Sequence, residues 1–125
     1  MVTHMDGQDC SLLVKTWMNT NENTRGIRRV SVADRHGSLW VRIEGAGGDS
    51  PRDWGEVPVD AVYAAAPESR VPMSFNATFD LGSMRSHVQA NVNQGLLVMV
   101  AFNSFTDDSG RAAYFSREFF HEAAQ

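Results

Sequence analysis

Met73–Val92, MSFNATFDLGSMRSHVQANV, decides the fold. Met73, Phe75, Ala77 and Phe79 share one phase of a two-residue repeat, while Ser74, Asn76, Thr78 and Asp80 share the other. After Asp80-Leu81-Gly82-Ser83 the pattern resumes, with Met84, Ser86, Val88, Ala90 and Val92 opposed to Arg85, His87, Gln89 and Asn91. Successive side chains of a strand point to opposite faces. Period two with a polar outer phase therefore marks an antiparallel sheet covered on one side. The glycine-bearing break between the two runs has the chemistry of a hairpin turn.

The same signals extend in both directions. Leu39, Val41 and Ile43 alternate with Trp40, Arg42 and Glu44, and Arg35-His36-Gly37-Ser38 punctuates the chain before them. Asn93-Gln94-Gly95 and Asp107-Asp108-Ser109-Gly110 do the same further on. Eight strands are predicted, at 11–19, 26–34, 38–45, 55–63, 71–80, 83–93, 95–106 and 110–120. Glu118–Ala124 reads either as a short terminal helical turn or as an extension of the last strand. No segment carries a helical stripe. Short turns between consecutive strands make an up-and-down meander, and eight strands with one apolar face close well into an all-β barrel. The expected organisation is a flexible segment over 1–10 and one barrel domain over 11–122, with Gly45–Asp53 as its longest loop.

Composition bounds the function. A chain of 125 residues is one domain's worth, and 42% hydrophobic residues can fill one core without a disulfide or metal. The formal charge of −4 argues against a phosphate-tracking nucleic-acid surface. The opening MVTHMDGQDC lacks the apolar stretch of a signal peptide, no apolar run is long enough to span a membrane, and Cys10 is the single cysteine. A cytoplasmic protein is expected.

Enzyme signatures are sparse. Histidines at 4, 36, 87 and 121 have no metal-ligand spacing, and His87 falls on the polar phase of its strand. Gly45-Ala46-Gly47-Gly48 lacks the following helix that a phosphate loop needs. Asp107–Gly110 lacks the alternating acids and distal Glu of a calcium loop and reads as a turn. No metal or cofactor is expected.

Thr16-Trp17-Met18-Asn19, followed by the polar loop Thr20–Arg25, is the most distinctive local motif. A first-strand Trp ahead of a short meander resembles the opening of the calycin superfamily of lipocalins and avidins. The Thr-Trp-x-Asn order is similar to the avidin start. The resemblance implies Trp17 as the residue closing the barrel floor, Asn19 as a ligand contact and Arg117 laid across the Trp17 ring. It departs at Lys15, where lipocalins carry Gly, and the later tryptophans of avidin have no match, so biotin is not implied. It covers about the first forty residues. Without it, Trp17 reads as ordinary core and Asn19 as a turn residue.

Two functions fit such a cup, and a filled barrel that serves only to pair with a partner is the blander third reading. One is binding of a hydrophobic small molecule in a lumen lined by Trp17, Phe75, Phe79, Val88, Met99 and Phe115, with Asn19, Tyr63 and Asn103 as polar contacts. The other is a motif-less biosynthetic cyclase or isomerase that folds a polyketide- or terpenoid-like substrate in the same cavity. Trp54 beside Gly55 reads as a residue pinning the long loop or as a lid. Finally, Leu96–Phe102 is apolar on both phases, so Leu96, Val98, Val100 and Phe102 need outside cover. A homodimer through them is expected.

Overall fold

A computed structural model of the chain describes residues 8–48 and 51–124. It is all-β, and none of the described residues forms a helix long and apolar enough to cross a membrane. The strands are β1 Thr16–Asn19, β2 Ile27–Arg35, β3 Ser38–Gly45, β4 Asp53–Pro58 and β5 Ala61–Ala64, then β6 Pro72–Asp80, β7 Met84–Asn93, β8 Leu96–Phe105 and β9 Tyr114–Glu122. They form one curled antiparallel sheet in the order β4-β3-β2-β1-β9-β8-β7-β6-β5. Its inner face carries the core: Val30, Leu39, Val41, Ile43, Phe75, Ala77, Phe79, Val88, Leu97 and Phe120 are all fully buried.

Nine strands stand where eight were expected, because the predicted strand 55–63 is two. β4 pairs with β3 as far as Trp40↔Pro58, and β5 pairs with β6 from Ala61↔Asn76. Pro58 has no N–H to continue a ladder. Immediately after it Val59 N–H donates to Leu39 O at 2.9 Å, and Asp60 N–H donates to Asn76 O at 2.8 Å. The chain changes partner within one residue.

The predicted first strand is also shorter. Leu13 and Val14 N–H both donate to Cys10 O, at 2.9 and 3.1 Å, so the chain turns before β1 begins. The turn is tied down by Val32 N–H donating to Lys15 O at 3.0 Å and Asp9 N–H donating to Arg70 O at 3.0 Å. Residues 1–7 of the expected flexible segment lie outside the described residues, but Cys10 at its end is buried. Burial, then the nearby carboxylates of Asp34 and Asp9, push the Cys10 thiol pKa up, so it is a poor nucleophile. At the other terminus the last strand extends to Glu122 instead of ending in a helical turn.

Two hairpins show the turn chemistry at its clearest. His36-Gly37 and Gln94-Gly95 each have positive φ at both positions, 56° and 84° in the first and 52° and 82° in the second. Such two-residue turns match the twist of the flanking strands. They fix the pairings Arg35↔Ser38 and Asn93↔Leu96, and with them which phase of each strand faces inward.

Candidate functional site

The two ends of the curled sheet differ. At one end the Cys10–Lys15 turn lays Leu13, fully buried, against the core, and Trp17 Nε1–H donates to Leu13 O at 3.3 Å. Trp17 is 1% exposed, with Lys15 Nζ 5.7 Å from its ring centroid. At the other end lies a cleft of 440 Å³, walled by the β1–β2 loop with Arg25, by Trp54 near the start of β4, by Met84 opening β7, by Asn103 near the end of β8, and by Tyr114, Ser116, Arg117 and Glu118 on β9.

Glu118 organises this rim. β9 places it on the inner face opposite Met99. Its Oε1 accepts from Asn19 Nδ2 at 3.0 Å and from the Thr24 hydroxyl, and its Oε2 accepts from Ile27 N–H at 2.9 Å. The carboxylate thus holds the loop between β1 and β2 against β9. Gly26 is part of the fit, because a Cβ there would lie 2.8 Å from Glu118 Oε2. On the facing wall, Trp54 is 7% exposed, stands edge-on to Phe79 at 5.5 Å and donates from Nε1 to Pro51 O at 3.2 Å. It pins its loop and walls the cleft at once.

Among the expected site residues, Asn103 lines the cleft, and no other one does. Phe75, Phe79 and Met99 point inward but sit within the packed core. Asn19 is inward and buried, yet its amide is committed to the chain: besides Glu118, Nδ2 donates to Ile27 O at 2.8 Å, and Oδ1 accepts from Asn21 N–H at 2.8 Å. Tyr63 and Phe115 are on the outer face. Tyr63 pairs with Ser74 of the polar phase and is half exposed, while Phe115 pairs with Phe102 and is 66% exposed.

Arg117 does not reach Trp17. Its register partner is Val100, on the outer face, and its guanidinium lies 5.3 Å from the Phe119 ring centroid. Alternation along β9 makes this unavoidable. If Phe120 enters the core, Glu118 goes with it and Arg117 must face out.

Glu118, Thr24, Met84 and Tyr114 were missed by the sequence reading. Met84 was assigned to the inner phase of its strand, but nothing marked that strand end as a mouth. Glu118 gave no signal because Tyr114-Phe115-Ser116-Arg117-Glu118-Phe119-Phe120 carries aromatics on both phases. The β8–β9 loop is a turn, as read: Asp107 accepts from Ser109 N–H at 3.1 Å and from Arg111 Nη2 at 2.7 Å. Hydrogen bonds from Ser109 and then Arg111 hold its carboxyl below the usual range. Among the described residues, no group of three His, Cys, Asp or Glu side chains is placed to hold a metal ion. No family model, curated protein or solved structure matches the chain.

Proposed function

We propose that the protein binds a small molecule with an apolar body in the cleft beside Glu118. The observation that carries this reading is the cleft itself: 440 Å³ walled by Ile27, Trp54, Met84 and Tyr114, with the buried Asn103 amide among its lining. That volume falls in the range of about 300–1,000 Å³ usual for small-molecule sites, and apolar walls with a few placed polar groups are their usual lining. The ligand sits at one end of the sheet, above a packed interior, instead of deep in a lumen. We further read 53–64 as one bent strand bridging β3 and β6, so that the sheet acts as an eight-stranded calycin-like barrel. The single buried thiol fits a cytoplasmic setting.

Binding fits the geometry better than the cyclase or isomerase alternative. Glu118, the carboxylate in the cleft, accepts hydrogen bonds from Asn19, Thr24 and Ile27 and has little capacity left for proton transfer. Native mass spectrometry of protein purified from its own host tests the reading. A small-molecule adduct is expected on the wild type and not on Ser116→Phe, whose ring takes up cleft volume. An unliganded wild type, or the same adduct on the variant, counts against it.

The outer face of β8 and β9 supports pairing of two copies. Phe102, Phe115 and Phe119 are 46%, 66% and 38% exposed, and they extend the apolar row of Leu96, Val98 and Val100 across two adjacent strands. A row of this kind on one face is self-complementary across a two-fold axis. Val98 is only 8% exposed, shielded within its own sheet, so substituting it would confound assembly with folding. Phe102→Lys is the cleaner change. Light scattering should give a dimer mass for the wild type and a monomer mass for this variant. A wild type already monomeric at high micromolar concentration would remove the proposal.

A further inference from the structure

The polar groups in and behind the cleft wall bear on what kind of molecule it takes. Asn103 on β8 is 4% exposed, and its Oδ1 is buried with no hydrogen-bond partner. Directly across the ladder on β7 is Ser86, fully buried, whose Oγ has no partner either. Buried polar atoms are nearly always paired, because desolvation without a partner costs stability. Two such atoms on register neighbours are the mark of a position prepared for something from outside the chain. Asn103 lines the cleft and Ser86 does not, so a ligand meets Asn103 first.

The surroundings limit the ligand's shape and the polar group it presents. Both Glu118 oxygens already accept from donors of the chain itself, so the carboxylate is tied to the β1–β2 loop. Arg25 and Arg117 line the cleft as well, so its walls do not turn away an acidic donor. Among the donors on the walls, Trp54 Nε1–H is used by Pro51 O, and the Tyr114 hydroxyl lies 4.0 Å from Met84 Sδ. Asn103 Oδ1, the buried acceptor without a partner, shares the wall with flat apolar surfaces, the Trp54 and Tyr114 rings and the Met84 thioether. Rings favour a flat partner, and thioethers pack well at ring edges.

Resting on the reading of this cleft as a small-molecule site, we infer that its ligand is a flat, largely apolar molecule that presents an O–H or N–H donor to Asn103 Oδ1. Phenols and N–H heteroaromatics are that class. Ser86 stands behind Asn103 as a positioning residue, with its hydroxyl free to reorient toward the amide once the ligand has docked.

A matched pair of probes tests this on the full chain. 2-Naphthol and 2-methoxynaphthalene share one flat body, but only the first can donate. Calorimetric titration should give 2-naphthol an affinity about tenfold higher, the scale of one neutral hydrogen bond to a buried acceptor. The preference should vanish in Asn103→Leu and shrink in Ser86→Ala, and each variant's melting curve shows that it is folded. The wild-type comparison stands by itself if a variant fails to fold. The indole N–H resonance of Trp54 reports where each probe sits. Equal affinities, or tighter binding of the methoxy probe, with the Trp54 resonance shifting, would overturn the donor inference and leave the cleft reading intact. If neither probe moves the Trp54 resonance, both readings fall.

Discussion

Trp17→Ala is expected to destabilise the protein by about 3–5 kcal/mol, the usual cost of deleting a large buried aromatic side chain. Trp17 is 1% exposed, one of the largest fully buried side chains, and its indole N–H is the donor to Leu13 O. Removing it leaves a cavity beneath the Cys10–Lys15 turn and takes one of two donors from Leu13 O, which keeps Lys15 N–H at 2.8 Å. Domains of this size have only about 5–15 kcal/mol of stability, so the variant should unfold at far lower urea. Trp17→Phe keeps much of the volume and should cost less. Chemical denaturation followed by far-ultraviolet circular dichroism measures both. A loss under about 1 kcal/mol for the alanine variant would mean that Trp17 is not part of the core that closes this end.

The second large effect is expected at Glu118. Glu118→Ala removes the acceptor for Asn19 Nδ2, the Thr24 hydroxyl and Ile27 N–H together. Hydrogen bonds to a charged group are worth about 1.5–3 kcal/mol each in favourable cases. Part exposure of this site and new hydration of the loop lower the sum, so a net loss of about 2–4 kcal/mol is expected. Gly26→Ala should damage the same contacts by another route, because its Cβ forces Glu118 Oε2 away. If the two act on one set of hydrogen bonds, the double variant loses much less than the sum of the singles. Strict additivity in a double-mutant cycle would show that Gly26 and Glu118 do not share this role.

The legible and illegible parts of the sequence divide along physical lines. Strands β2, β3, β6, β7 and β8 were readable because Val/Ile/Leu/Phe alternation and X-Gly turns both fix the same register. The split between β4 and β5 was not, since a change of partner at Pro58–Asp60 is decided by which neighbours the curled sheet presents. Asn103 was readable as a polar group among apolar neighbours on its strand. Phe115 was misread because its strand has no polar phase. Its place follows only from pairing with Phe102, already assigned to the outside. Tyr63 was misread for want of length: β5 has four residues, too few for a phase to emerge. The cleft itself draws on five separate segments, and no local motif encodes such a convergence.

A ligand bound at the Glu118 end of the sheet, above a filled core, would move a defined set of resonances. Mapping nuclear magnetic resonance shift changes during titration with 2-naphthol tests this most directly. Changes are expected to cluster at Thr24, Ile27, Trp54, Met84, Asn103 and Tyr114, with Phe75, Val88 and Met99 unmoved. Changes centred on Phe75, Val88 and Met99, or on the outer Phe102 and Phe115, would contradict it.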